Sequence, residues 1–305
     1  MEKYIKSPFN YTGGKHKLLK QIMPLFPQKI DTFIDLFSGG CNVGINSEAS
    51  NKKFIDCNKK LMNLLNIFKE FELNEILEEI EHIIRKYKLS NSSVNGYDYY
   101  NCNSSQGLAD YNREKYLELR NDYNNMDNKE NRFRKNILLY VLIIYGFNNQ
   151  IRFNRKGEFN IPVGKRDFNN KIKSNLVEFI EMIKSSNLEF INKDFRDIEA
   201  YYYRNSFVYA DPPYLITNAS YNEQGGWNEE YEYQLYKKLD ELNELGINFA
   251  LSNVIENKGI KNYILLNWIE SREYKIHYLD KHYNNSNYQI KDRSKTTIEI
   301  LVTNY

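Results

Sequence analysis

Residues 211–214 read Asp-Pro-Pro-Tyr and follow directly on the apolar run Phe207-Val208-Tyr209-Ala210. Proline has no backbone N–H and fixes φ, so Pro212 and Pro213 end the strand that this run forms. The pair also stiffens the chain. Asp211 and Tyr214, a hydrogen-bond acceptor and an aromatic ring, are therefore held on a rigid ledge at a strand end. Two more acids fall at strand ends: Asp35 in "IDTFIDLFSGG" and Asp56 in "KKFIDCN". In an open α/β sheet the carboxyl ends of the strands are where ligands sit.

Asp56 follows Asp35 by 21 residues, near the spacing at which an acid accepts hydrogen bonds from ribose hydroxyls. The glycines run Phe37-x-Gly39-Gly40-x-x-x-Gly44 rather than G-x-G-x-x-G, so no pyrophosphate cradle is signalled. A nucleoside ligand without phosphates fits this pattern, with S-adenosylmethionine as the first candidate. A simple turn at Gly39-Gly40 is the plain alternative. A second glycine pair, Gly13-Gly14, lies between Tyr11 and Lys15.

The elements that must position these residues follow the same logic. Strand Thr32–Leu36, a glycine turn with helical character through Gly44, a second strand ending at Asp56, and the amphipathic "KLMNLLNIFKEF" open a doubly wound α/β sheet. "NLEFINKDFRDI", "SFVYADPPY" and "GINFALSNV" continue the strand series, and "YKIHYLDK" with "TTIEILVTNY" reads as a closing antiparallel pair. Residues 62–170 are mostly helical and polar, with "SNSSVNGYDYYNCNSSQG" as a loop. They interrupt the sheet pattern and are expected to form a second domain inserted into the first, which takes 1–61 and 171–305.

The 305 residues, 41% hydrophobic and 27% charged, suit a folded protein of one large or two modest domains. The longest apolar run, Ile137 to Phe147, has 11 residues against roughly 20 for a bilayer helix, so no membrane span is expected. The N-terminus lacks a hydrophobic signal core, which points to the cytoplasm. Cys41, Cys57 and Cys102 form no CxxC pair, and His277 with His282 has no ligand cluster around it, so neither disulfides nor a metal site is expected. Net charge is only +2, yet residues 129–173 hold 11 Lys and Arg against three acids. Such a concentration is either a solvated face or a surface for a polyanion.

Taken together, "NYTGGK", "IDLFSGG", "IDCN", "YGFNNQIRFNRKGEFNIPVGK", "DPPY", "ALSNV" and "IEILVTNY" resemble, in order, the D12 class of DNA adenine-N6 methyltransferases, the Dam-type alpha group. The match covers nearly the whole chain apart from about 70–130. The resemblance implies a Rossmann-like methyltransferase sheet with an inserted target-recognition domain. It also implies methyl transfer from S-adenosylmethionine to an adenine flipped out of a short duplex sequence, as in restriction–modification systems.

Site residues follow from the same resemblance. Tyr11 and Lys15 would border the cofactor, while Asp35, Phe37, Gly39 and Gly40 would hold its methionine end. Asp56 would take the ribose, and Asp194 with Phe195 would lie beside its adenine. Asp211 and the Pro212 carbonyl would accept hydrogen bonds from the target N6, held by the stiff Pro212-Pro213 pair, and Tyr214 would stack on the base. Asp211 would thereby also border the cofactor. Phe147 would intercalate and Asn148 would contact the backbone. Within this segment the Arg152 guanidinium fork fits O6 and N7 of a guanine, with one more phosphate contact as the plain alternative, and Gln150 can pair with an adenine. Asn154, Arg155 and Lys156 would contact DNA, the two cations at phosphates, as Lys165 and Arg166 would. Double-stranded DNA is the expected partner, and a separately acting restriction endonuclease is a candidate second one. Three other classes share some of these elements: a nicotinamide-dependent oxidoreductase, a DNA-binding relative without activity, and a methyltransferase acting on RNA or a protein amide. The missing G-x-G-x-x-G weighs against the first, the intact Asp211–Tyr214 motif against the second, and the acid at 211 against the third.

Overall fold

A computed structural model describes residues 4–11, 13–127, 131–217, 226–280 and 297–305. The chain divides into two compact units: Met1–Tyr4, Gly13–Cys57 and Ser186–Tyr305 form one, Ile5–Thr12 and Asn58–Ser185 the other. The interval 62–170 lies inside the second unit.

Among the described residues the first unit is built on eight strands: β1 Thr32–Asp35, β2 Asn51–Asp56, β3 Asn187–Asn192, β4 Ser206–Ala210, β5 Phe249–Asn257, β6 Ile260–Lys261, β7 Lys275–Leu279 and β8 Thr297–Thr303. Their order is β3-β2-β1-β4-β5-β8-β7, with β6 paired to β5. Strands β1 to β5 run parallel to one another, whereas β6 is antiparallel to β5 and β8 is antiparallel to both β5 and β7. The doubly wound sheet with an antiparallel closing pair is therefore as the sequence implies. Alternation along the strands splits the core into two layers. Ile34, Val208 and Leu251 face the helix Glu229–Glu244 and Trp268 on one side, while Phe33, Phe207, Tyr209 and Ala250 meet Leu18, Leu19 and Ile22 on the other. With both faces covered, β4 is apolar at four consecutive positions, as buried parallel strands are.

The order reverses between β1 and β4, whose register places Asp35 opposite Tyr209. Their carboxyl ends thus open side by side at the switch point. The helical character read through Gly44 amounts to a 3-10 turn, Gly44–Asn46. Local bonds explain its brevity: Asn46 Nδ2 donates to Asn42 O at 2.8 Å and Ser47 Oγ to Gly44 O at 2.8 Å, offering the backbone an alternative to a longer helix.

In the second unit five long helices, Lys59–Glu70, Leu73–Lys86, Ala109–Asn125, Arg132–Tyr145 and Asn170–Ser185, make the bulk of the structure. Asn58 and Asn131 cap two of them, accepting from Leu61 N and Arg134 N. Arg132–Tyr145 is buried at every position from Asn136 onward. Two sequence expectations change here. The stretch after residue 90, read as a loop, carries the short helix Ser92–Asn95 and the turn Asp98–Tyr100. It is tied down by Asp167, fully buried, which accepts from Ser92 N at 2.5 Å, Ser92 Oγ at 2.8 Å and Ser90 Oγ at 3.3 Å. The chain beyond Gly146, read as a polar loop, folds back as a hairpin with antiparallel bridges Gly146–Val163 and Phe153–Phe159. Gly164 permits its narrow base, since a Cβ there would stand 2.4 Å from Gly146 O.

Among the described residues no helix is long and apolar enough to cross a membrane. His282 lies outside the described residues, and His277 meets Thr303 Oγ1 at 3.1 Å.

One buried carboxylate fastens helix Glu229–Glu244 to the sheet. Glu232, fully buried, accepts from Trp227 Nε1 at 2.6 Å, from Asn262 Nδ2 at 3.0 Å, from Asn253 Nδ2 at 3.3 Å and from Tyr236 OH. Glu232→Ala leaves those donors unsatisfied and is expected to cost about 2–4 kcal/mol of stability. Both tryptophans, Trp227 and Trp268, lie in this unit, so urea unfolding followed by tryptophan fluorescence reads the loss directly. A change below about 1 kcal/mol would contradict the assignment.

Candidate active site

At the end of β4 the Asp211 carboxylate is held from two sides. Lys15 Nζ lies 2.7 Å from both Oδ1 and Oδ2, and Tyr214 OH donates to Oδ1 at 2.9 Å. Lys15 Nζ also donates to Gly13 O at 2.8 Å and stands 5.0 Å from the centre of the Tyr214 ring. A second acid closes the group: Glu299 of β8 sits 3.5 Å from Lys15 Nζ and accepts from Tyr214 OH at 3.2 Å. The side chains of Lys15 and Glu299 are 2% and 0% exposed, whereas Asp211 keeps 18%. Of the two acids, the one open to a ligand is the carboxylate on the Pro212-Pro213 ledge, and the Tyr214 ring beside it is also partly exposed.

Burial pushes the Asp211 carboxyl above the usual range; the Lys15 ammonium beside it pulls it back, Glu299 raises it, and the Tyr214 hydroxyl stabilises the charged form. Asp35 is pushed well above its ordinary value by burial and then by Asp211, with Asp56 adding and a Gly44 backbone N–H and Lys15 opposing. Gly44 allows that approach, since a Cβ there would meet Phe54 at 2.5 Å and Asp35 Oδ2 at 3.2 Å. Burial, with Asp211 and Glu299, pushes the Tyr214 phenol well up, so it stays a neutral donor.

Beside these acids is a lining of a different kind. Asp56 Oδ2 accepts from Gly39 N at 2.9 Å, fixing the turn after β1 to the end of β2. Phe37 packs on Phe195 with ring centres 5.2 Å apart and on Trp227 at 5.6 Å, edge-on, and Phe195 lies 5.9 Å from Trp227. Asp194 pairs in a fork with Arg196, at 2.8 and 2.9 Å, which holds its carboxyl below the usual range. Arg196 in turn lies over Tyr231 at 4.3 Å. Asp35 Oδ1 is buried and has no hydrogen-bond partner among the described residues. An unpartnered carboxyl oxygen, three neighbouring acids that disfavour one another's ionisation, an aromatic cluster and a glycine turn suit a ligand that brings positive charge, a flat ring and hydroxyl groups. The residues present therefore fit a sulfonium nucleoside.

The structure thus brings Lys15, Asp35, Phe37, Gly39, Gly40, Asp56, Asp194, Phe195 and Asp211–Tyr214 into one unit, while Tyr11 belongs to the other. Lys15 pairs with Asp211 itself. In the second unit, Phe147 is half exposed, and Asn148 and Asn149 take left-handed conformations. Asn148 O accepts from Asn10 Nδ2 at 3.2 Å, and Gln150 follows at intermediate exposure. Arg152 is exposed, and its fork is engaged across the hairpin: Nε donates to Asn160 Oδ1 at 2.9 Å and Nη2 to Asn160 O at 3.1 Å. Asn154 shapes the tip, its Oδ1 accepting from Lys156 N and Glu158 N at 3.0 Å each, and Arg155 and Lys156 project there exposed.

Sequence reasoning missed Glu299, Trp227 and Asn160. Glu299 left a signal, a lone acid within Ile298-Glu299-Ile300-Leu301-Val302, where every neighbour is apolar. Trp227 and Asn160 left none, because each matters through a partner distant in sequence or across a turn.

A doubly wound sheet with an antiparallel last pair and acids at its switch point is the architecture of a Rossmann-like methyltransferase. Residues 11–285 match the family described as D12 class N6 adenine-specific DNA methyltransferase, and the chain belongs to it. It is 42% identical over 309 residues to Type II methyltransferase M.FokI of Planomicrobium okeanokoites, covering 99% of this chain and 43% of that protein. It is 39% identical over 311 residues to Modification methylase StsI of Streptococcus sanguinis, covering 100% of this chain and 43% of that protein. DNA adenine methylase of Escherichia coli K12 is 27% identical over 234 residues, 77% of this chain and 74% of its own. The chain spans less than half the length of the first two relatives.

Lys15→Met removes the ammonium that accompanies two buried carboxylates. Leaving such charges uncompensated costs about 3–5 kcal/mol. The variant's Asp211 is pushed further above its unfolded value, so its protonated form is favoured by folding and the deficit grows as pH rises through the folded value. The difference in stability from wild type is expected to be smaller at pH 5 than at pH 8. Equal deficits at both pH values would contradict the pairing.

Proposed function

We propose that the chain is a site-specific DNA adenine-N6 methyltransferase that uses S-adenosylmethionine and works in the cytoplasm as the modification half of a restriction–modification system. The observation that carries this reading is the Asp211 carboxylate, fixed by Pro212-Pro213 at the end of β4, bonded to Tyr214 and partly open, in a chain of the D12 class. The names of the modification methylases it is similar to support the biological role.

S-adenosylmethionine would supply a methyl group on positively charged sulfur. Asp35 would hold its ammonium end through the unpartnered Oδ1, with the Phe37, Gly39 and Gly40 turn alongside; Asp56 would accept from the ribose hydroxyls, and Phe195 with Asp194 would border its adenine. The target adenine must leave the duplex, at a few kcal/mol, and stacking on Tyr214 returns roughly 1–3 kcal/mol. Its N6 is a poor nucleophile because the lone pair is delocalised into the ring. Hydrogen bonds from N6 to Asp211 and to the Pro212 carbonyl favour a tetrahedral, more nucleophilic nitrogen. The rigid ledge limits reorganisation, so catalysis is electrostatic and positional. After transfer the nitrogen carries an extra proton, and the Asp211 carboxylate, whose affinity for protons burial has raised, accepts it.

The second unit would carry target recognition, with Phe147 intercalating and Asn148, Arg155 and Lys156 contacting the backbone. Asn154 shapes the hairpin tip. Gln150 and Arg152 would read bases, Arg152 through the part of its fork that Asn160 leaves exposed.

Two variants test the reading. Asp211→Asn keeps Lys15 paired with Glu299 and is expected to preserve folding and S-adenosylmethionine affinity while cutting single-turnover methyl transfer about 100-fold or more. Near-wild-type turnover would sink the catalytic role. Arg152→Ala is expected to relax discrimination at one guanine, about 1–3 kcal/mol, with the salt dependence of binding unchanged. A uniform loss across sequences with a shallower salt slope would mean a phosphate contact instead.

A further inference from the structure

Asp211 cannot serve a substrate amine fully while Lys15 covers it. Oδ1 already takes two donors, Lys15 Nζ at 2.7 Å and Tyr214 OH at 2.9 Å, and Oδ2 takes Lys15 at 2.7 Å. An ammonium so close neutralises the carboxylate and weakens it as an acceptor toward a neutral N–H. A second anion stands ready, since Glu299 Oε1 lies 3.5 Å from the same nitrogen. Glu299 also fixes the other occupant of Oδ1, accepting from Tyr214 OH at 3.2 Å. It is placed there by β8, where its register opposite Val254 of β5 and Leu279 of β7 leaves the carboxylate buried between the apolar Ile298 and Ile300.

We infer that Glu299 is a positioning residue that draws Lys15 away from Asp211 when the target amine arrives, so that Asp211 meets the amine as a full carboxylate. The inference rests on the methyltransferase reading. No bond is made or broken in the hand-over: the ammonium moves its weight from one buried carboxylate to the other, and the net charge of the group is constant. The Tyr214 hydroxyl, bonded to both acids, can follow the same exchange. Lys15, by this account, shields Asp211 between turnovers.

Single-turnover methylation of adenine-containing duplex DNA by the full chain, across pH, tests it. The groups facing Asp211 are Lys15, Glu299, Tyr214, Tyr209 and Asp35. Of these, Glu299→Gln removes one negative charge and keeps shape and an acceptor for Tyr214. It is expected to lower kcat about 10-fold or more, with KM for DNA and the affinity for S-adenosylmethionine within twofold of wild type. The acidic limb should move to lower pH, because Glu299 holds the Asp211 carboxyl up. Wild-type kcat in Glu299→Gln, or a fall in kcat with the acidic limb unmoved, would overturn the inference, the second result marking a merely structural role. Should Glu299→Gln not fold, Glu299→Asp keeps the charge but withdraws it by one methylene. It should then show lower kcat with a smaller shift of the limb in the same direction, and wild-type kcat or an unmoved limb there overturns the inference equally. Absence of adenine methylation by the wild-type chain would instead bring down the proposed function itself.

Discussion

A single ammonium makes the site possible. Asp35, Asp211 and Glu299 are carboxylates taken largely out of water within one corner of a sheet, where each raises the cost of ionising another. Lys15, itself 2% exposed, is the cation placed among them, in contact with Asp211 and within ion-pair distance of Glu299. Buried carboxylates without a counter-charge would protonate or destabilise the fold. With it, the Asp211 carboxyl is compensated where it opens to solvent, its upward shift by burial held back by the ammonium. The remaining deficit of positive charge, felt most by Asp35, is what a cationic cofactor would supply.

The fold's task is to bring these groups together. Residues 15, 35, 211 and 299 are scattered over the whole chain, and what unites them is strand order. β1 and β4 adjoin at the reversal, so Asp35 and Asp211 emerge side by side. β8 enters antiparallel next to β5, so its Glu299 comes to the same end. A parallel strand in its place would need a long crossover connection. Buried polar links such as Glu232 to Trp227 then fix the aromatic cluster beside the acids. The second unit presents its cations differently, on a hairpin whose narrow base depends on Gly164 and whose tip depends on Asn154.

Much of this was legible in the sequence because its causes are local. Asp35, Asp56 and Asp211 can be read as strand-end acids from the apolar runs before them, and Pro212-Pro213 announces where β4 stops. Asp211 with Lys15 was not legible: the two are 196 residues apart, and the pair exists only once β4 and the segment before β1 are packed. Glu299 stands out as a lone acid in an apolar run, but a run that does not alternate leaves open which face, and so which partner, that acid meets. The order after residue 90 was also missed, because a polar, asparagine-rich stretch is held by Asp167 from 75 residues away. The hairpin after Gly146 reads as a loop for a different reason: it rests on two isolated bridges and no regular strand. Its bridges pair Phe153 with Phe159 over a tip whose shape comes from one asparagine side chain.

We propose that the carboxylate on this ledge directs a methyl group to the amino nitrogen of adenine. The most direct measurement incubates the purified chain with S-adenosylmethionine carrying an isotopically labelled methyl group and mixed-sequence duplex DNA, followed by mass spectrometry of the released nucleosides. The account predicts the label in N6-methyldeoxyadenosine alone. Label in a cytosine derivative, or none in any nucleoside, would contradict it.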